Sequence, residues 1–358
     1  MRIMLHGAVN LSNYGDYLFA ELFYTTLRNK GVQAEFYNHP KYGISSFFVE
    51  HLGYKPEKRS LKEMVKGCDA FVFFSGGYFV EPTKKGFLSE THHIQRYLYP
   101  ASLFMKSGKP IYVMGVGAGP FDENAAFSKR AREILNYATV ITVRNEESLQ
   151  YCEEFGIKND IQVTADTALV IREYLEKEKQ NVPKFETENG KKMLLFHIDS
   201  NSEVTAKLEE SVVPATVRFL KAHPDYQLYL AADGIKKERH FQNYEAMFTG
   251  CDPIVLKYDD PWKLTRQIER ADLIITTKLH VGIVGSALGR SVVSFPFVPN
   301  KTLRFYKQIG ETDRCIPLKE ITTEIAYQML EAFKDRMITV PQELIDKAKL
   351  NLELLPKG

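Results

Sequence analysis

The sequence holds one tryptophan and four cysteines in 358 residues. Cys68, Cys152, Cys251 and Cys315 are scattered, with no C-x-x-C spacing, so free thiols in a reducing compartment are expected. No apolar run approaches the roughly 18 to 20 residues that a membrane span needs. The opening MRIMLHGAVN has one arginine and a short apolar run, which is not the build of a signal peptide. A cytoplasmic location is the expectation, with peripheral contact at the inner membrane face left open. A dominant charge is missing too: Lys and Arg total 47, Asp and Glu 45, for a formal net charge of +2. That balance gives no support for nucleic acid as a partner. His6, His197 and the His92–His93 pair have no metal-ligand neighbours at recognisable spacing, so no metal is expected.

What is present is alternation. RIMLHGA, VQAEFYN, DAFVFFSGG, PIYVMGVGAGP, TVITVRN and IQVTADTALVI read as strands. Helical stretches fall between them: 16–29 closed by Gly31, SLKEMVKG, and EESLQYCEEFG. The charged REYLEKEKQNVPKFETENGKK, with a proline and an Asn-Gly pair, reads as a linker. Alternation then resumes through KMLLFHI, YQLYLAAD, PIVLKY, DLIITT and SVVSFPF, and ends in helix from about residue 321, interrupted at Pro341. The fold class expected is α/β, two Rossmann-like doubly wound parallel-sheet domains followed by C-terminal helices. This resembles the two-lobed GT-B architecture, whose active site lies in the cleft between lobes, beyond the carboxyl ends of the strands. The domains are expected at 1–172, 190–318 and 319–358, the last a helical segment.

Chemistry-bearing residues cluster where strands end. Asn13, Gly15 and Asp16 follow the first strand; Asp16 suits either a helix N-cap or a carboxylate that orients or deprotonates a hydroxyl. Gly76 and Gly77 follow the third strand, and Gly115, Gly117 and Gly119 the fourth. The G-x-G-x-G spacing is not the dinucleotide fingerprint, so a nicotinamide cofactor is not expected. Arg144 ends a strand, where its planar fork suits carboxylate or phosphate, and Asn145 or Ser148 can serve the start of the next helix. Asp166 is a site carboxylate or a turn acceptor. Lys278 and His280 stand before a helix rich in small residues: Gly282, Gly285, Ser286, Ala287 and Gly289. Cation, imidazole and helix N-terminus together make an anion site with a proton donor built in.

Taken in order, N-x-G-D at 13–16, S-G-G at 75–77, G-x-G-x-G-P at 115–120, R-x-x-x-S at 144–148, D-T-A at 166–168 and K-L-H at 278–280 resemble the polysaccharide pyruvyl transferase family. The resemblance spans roughly residues 1 to 300. It implies transfer of pyruvate from phosphoenolpyruvate onto two hydroxyls of a sugar as a ketal, with no cofactor. It also implies donor binding by Arg144, Lys278, Leu279, Gly117 and Ser148, and acid catalysis by His280. Asp16 is the expected base, and Asn13, Gly76, Gly77, Tyr78 and Asp166 the expected acceptor contacts. The first domain would serve the acceptor and part of the donor, the second the donor. Lys278 departs from the family's more frequent Arg, and Ser75 from its more frequent Gly.

The acceptor expected is a glycan or a lipid-linked saccharide. Tyr78, Glu81, His92, His93, Arg96 and Tyr97 suit a sugar face or an ordinary amphipathic surface equally well. Lys301, Arg304 and Lys307 read as a solvated helix face, with phosphate or anionic lipid as the alternative. Two other functions fit the same pattern: a nucleotide-sugar glycosyltransferase, and a non-catalytic sugar-binding member of a polysaccharide assembly system.

Overall fold

Runs of Val, Ile, Leu and Phe without polar alternation suit strands that are covered on both faces. In a computed structural model, which describes every residue except 42, 81–86 and 188–189, these runs form two all-parallel sheets within two compact units.

The first unit comprises Met1–Ser12, Asp16–Thr167 and Glu343–Gly358. Its strands are β1 (Arg2–His6), β2 (Gln33–Phe36), β3 (Ala70–Phe73), β4 (Ile111–Val116), β5 (Val140–Val143) and β6 (Gln162–Val163). They lie in the order β2-β1-β3-β4-β5-β6, so the winding reverses between β1 and β3. Ile3, Leu5, Phe71, Phe73, Val113 and Phe104 are wholly buried in its core. Local signals are obeyed here. Ser60 and Glu63 close a capping box on helix Leu61–Gly67. Gly31, at φ 74°, turns the chain out of helix Tyr14–Asn29.

The second unit comprises Asn13–Gly15 and Ala168–Gln342. Its strands are β7 (Lys192–His197), β8 (Tyr226–Ala231), β9 (Ile254–Leu256), β10 (Leu273–Thr276) and β11 (Ser291–Ser294), in the order β11-β10-β7-β8-β9. The reversal falls between β7 and β10, and this is where an open parallel sheet accepts ligands. Helix Leu279–Ala287 packs closely because its glycines permit it. A Cβ on Gly285 would stand 2.9 Å from both Ile274 Cδ1 and Val292 Cγ2.

Three expectations need correction. IQVTADTALVI is not one strand: pairing with β5 stops at Val163, and 3-10 and α-helical turns follow at Thr167–Val170 and Ile171–Glu178. The charged stretch read as a linker therefore begins as a helix. Its Ile171, Tyr174 and Leu175 are buried on one face, and Tyr174 stacks on Trp262 at 5.3 Å; the exposed Arg, Glu and Lys of the other face hid that spacing. The units also exchange at Thr167/Ala168 rather than after 172, and the tail is not a separate segment. Residues up to Gln342 stay with the second unit, while helix Gln342–Glu353 buries Leu344, Ala348 and Asn351 within the first. Among the described residues no helix is long and apolar enough to cross a membrane.

Candidate functional site

In the first unit, strand ends bring Arg144, Asp166, Gly117 and Ser148 together. Arg144 follows β5, and its amide donates to Val116 O at 3.1 Å, which holds it beside the glycine loop after β4. Its Nη1 donates to Asp166 Oδ2 at 3.1 Å, with both side chains more than nine-tenths buried. Gly117 lies against the guanidinium: a Cβ there would stand 3.0 Å from Nη2 and 3.2 Å from Nε. Asn145 caps helix Glu146–Glu154 by accepting from Ser148 N at 2.9 Å. Ser148, expected to touch the donor, is fully buried, and its Oγ accepts from Ala118 N at 3.2 Å. It ties the glycine loop to the helix. Asp166, expected on the acceptor side, is the buried counter-ion of Arg144.

The S-G-G turn is bound to the same loop. Gly117 N donates to Gly76 O at 2.8 Å, and Gly119 N to Phe79 O at 2.9 Å. Tyr78 is turned inward, 3% exposed, its hydroxyl accepting from Ala8 N and donating to Ser75 O. Gly76 has no room for a Cβ because the Tyr78 ring fills it. Gly77 is half-buried on the same turn. Burial drives the Tyr78 phenol well above its ordinary pKa, and the nearby Asp16 carboxylate adds to that. Tyr97 is pushed up to about 12, chiefly by burial, with Asp16 again contributing. Asp16 is thus the third residue of helix Tyr14–Asn29, in its first turn and not at its N-cap, with its charge felt by two phenols. Glu81 lies outside the described residues.

In the second unit, Thr277 and Lys278 leave β10 at the winding reversal, and Lys278 is the N-cap residue of helix Leu279–Ala287. Asp199, just beyond β7, meets them there. Its Oδ2 lies 2.6 Å from Lys278 Nζ and accepts from Thr277 Oγ1 at 3.0 Å. Its Oδ1 accepts from the amides of Ser200 and Asn201. Burial alone raises a carboxyl pKa, but Lys278, the Asn201 amide and Lys237 outweigh it, so Asp199 titrates below its usual range. A second buried acid, Asp233, follows β8 and pairs with His197 at 3.3 Å and with Lys237. Lysines 237 and 278 are thereby matched by aspartates 199 and 233. The expected donor cation Lys278 carries a counter-ion and is one-third exposed.

His280 is half-buried in the first turn of the same helix, one residue after the half-buried Leu279. Its ring rests on Gly15, where a Cβ would overlap Nδ1, Cγ and Cε1. Asn13 precedes this contact by two residues, and Tyr14 anchors the segment: its amide donates to Asp233 O at 3.0 Å and its hydroxyl bonds Thr265 Oγ1 at 2.8 Å. The N-x-G and K-L-H motifs, more than 260 residues apart in sequence, therefore meet within one unit.

A sequence model of polysaccharide pyruvyl transferases matches residues 13–296. The chain belongs to the polysaccharide pyruvyl transferase family. Among curated proteins no significant sequence match was found. Solved structures of similar fold include the S. aureus MnaA–UDP co-structure, with a TM-score of 0.65 at 11% identity over 98% of this chain and 93% of that one. UDP-GlcNAc 2-epimerase from Methanocaldococcus jannaschii, in complex with UDP-GlcNAc and UDP, gives 0.61 at 13% identity over 99% and 98%. The Neisseria meningitidis enzyme bound to UDP-GlcNAc gives 0.62 at 10% identity over 99% of both chains. These likenesses show a GT-B-like fold and no more than the fold.

Within this pyruvyl transferase family member, Asp199, Asp233 and Lys237 were not singled out from the sequence, and His197 was weighed only as a metal ligand. The available signal was positional: HID and AAD each place an acid just past a strand, as T-A-D does.

Proposed function

We propose that the protein transfers the pyruvyl group of phosphoenolpyruvate onto two hydroxyls of a saccharide, forming a ketal during polysaccharide synthesis. The observation that supports it best is the seat of His280. An imidazole ring lies against a glycine at a helix start, beside a lysine held at the winding reversal. His280 gives its proton to the donor methylene carbon, and C2 takes on cationic character. A sugar hydroxyl adds to C2 and loses its proton to Asp16. The C2–O bond to phosphate breaks, and the second hydroxyl closes the ketal. One hydroxyl proton is thus balanced by the new methyl group and the other by the released phosphate.

Lys278 and the helix amides favour the donor's negative charge as it moves toward the leaving phosphate. Asp199 keeps Lys278 in place, which offsets the loss of an arginine's planar fork. Arg144 and Gly117 retain the donor role that the resemblance implies, with Asp166 holding the guanidinium's orientation. Gly76, Gly77 and Asn13 remain assigned to the acceptor. The test is incubation of the protein with phosphoenolpyruvate and a panel of lipid-linked and simple galactosides, mannosides and N-acetylmannosaminides. Mass spectrometry should show a gain of one pyruvate less one water, with one phosphate released per product, and neither with His280→Ala. Conversion of a UDP-sugar, with phosphoenolpyruvate inert, would replace this reading with that of a nucleotide-sugar enzyme.

A further inference from the structure

Asn351 lies beyond the residues that the family model matches, on helix Gln342–Glu353 of the first unit, and is wholly buried. An asparagine without solvent needs two acceptors and two donors, or it carries a penalty of about 1–3 kcal/mol for each unmet group. Here the carboxamide is satisfied on both ends. Oδ1 accepts from Thr142 Oγ1 at 2.6 Å and lies 2.8 Å from Thr164 Oγ1. Nδ2 donates to Ala165 O at 2.9 Å and to Thr167 Oγ1 at 3.0 Å. The Thr167 hydroxyl bonds Ser75 Oγ at 2.6 Å, and Thr142 Oγ1 accepts from Gly115 N at 2.6 Å.

One side chain therefore gathers the ends of four strands: Ser75 after β3, Gly115 in β4, Thr142 in β5, and 164–167 after β6. The bonded residues bracket the ion pair. Ala165 and Thr167 flank Asp166, and Thr142 stands two residues before Arg144. Gly115, at φ 60°, completes the fit, since a Cβ would lie 2.5 Å from Ser75 Oγ and 2.9 Å from the Asn351 carboxamide.

We infer that Asn351 is a positioning residue for the Arg144–Asp166 pair, which makes the C-terminal helix part of the anion-recognition apparatus. This deepens the proposed function and rests on Arg144 as a donor contact, but one arm of its test does not. In the full-length protein labelled with nitrogen-15, the Arg144 Nε–H resonance is identified by its loss in Arg144→Lys. Asn351→Ala should move that resonance and raise the KM for phosphoenolpyruvate about tenfold, with kcat within about twofold. Thr167→Val, a milder cut in the same knot, should shift the resonance in the same direction and serves if Asn351→Ala does not fold. Met64→Ala, on the capping-box helix Leu61–Gly67 of the same unit, should lower Tm and leave both readouts unchanged. An unmoved resonance in the Asn351 and Thr167 variants overturns the inference. A moved resonance in a protein that ignores phosphoenolpyruvate upholds the positioning role and removes the pyruvyl reading instead.

Discussion

Gly15→Ala adds one methyl group at the point where helix Tyr14–Asn29 meets the His280 ring. The backbone there is not left-handed, so crowding is the sole objection to a side chain. In an exposed helix the change would stabilise by about 1 kcal/mol. Overpacking a buried contact costs about 1–3 kcal/mol. The two terms leave a net loss of roughly 0–2 kcal/mol, and at about 2–4 °C per kcal/mol for units of this size the protein stays folded. Catalysis has no such offset. The new Cβ coincides with imidazole atoms, so the ring must swing away or the helix start must move. A displacement of about 1 Å in a reacting group costs on the order of 100-fold, or about 2.7 kcal/mol of barrier.

The assay is phosphate release from phosphoenolpyruvate with a saccharide acceptor, beside thermal unfolding. Gly15→Ala should lose about 100-fold in kcat/KM with Tm lowered by only a few degrees. On a His280→Ala background the clash is gone, so Gly15→Ala should then leave Tm level or higher. That non-additivity is the signature of direct contact. Near-normal kcat/KM in Gly15→Ala, or the same fall in Tm with and without the His280 ring, would refute the reasoning.

Asp199→Asn removes the carboxylate from Lys278; inorganic phosphate should bind more tightly by calorimetry while kcat falls, because the site loses a negative charge and the ammonium loses its anchor. The same carboxyl sets an acid limit. Its folded pKa is depressed, so its contribution is full above its ordinary value near 3.8 and lost as pH falls through the lower folded value; unfolding scans of Asp199→Asn should lack that loss. Gly117→Ala should raise the KM for phosphoenolpyruvate several-fold with little change in Tm, since its Cβ would stand 3.0 Å from Arg144 Nη2 and tilt the guanidinium. His6 is held neutral by burial, its pKa brought down to about 3. Its folded pKa lies below the unfolded one, so stability rises with pH between about 3 and 6.5, by at most about 1.4 kcal/mol per pH unit; His6→Phe should flatten denaturant midpoints across that window.

Much of the fold was legible because each unit of structure is local. Doubly covered strands need unbroken apolar runs, and every such run but one became a strand of the expected sheet. The exception, the stretch after Val163, shows the limit: TALVI is as apolar as a strand, and the chain's departure from β5 turned it into helix. The glycine-rich strand ends were equally plain, since a turn or close approach leaves no other residue type. Ser148 and Tyr78 have a structural use that no short stretch displays. Their hydroxyl oxygens accept from the backbone amides of Ala118 and Ala8, groups that the fold alone brings within reach.

By itself the sequence determined the strand–helix alternation, the motifs at the carboxyl ends and the K-L-H triplet opening a small-residue helix. It did so because periodicity, caps and turns act over a few residues. Only the tertiary structure decided which acid meets which base. Strand order sets β7 beside β10, so Asp199 reaches Lys278; the return of the last helix to the first unit brings Asn351 to Thr142 and Thr167. Those pairings depend on packing summed over each whole unit, and no local stretch carries that sum.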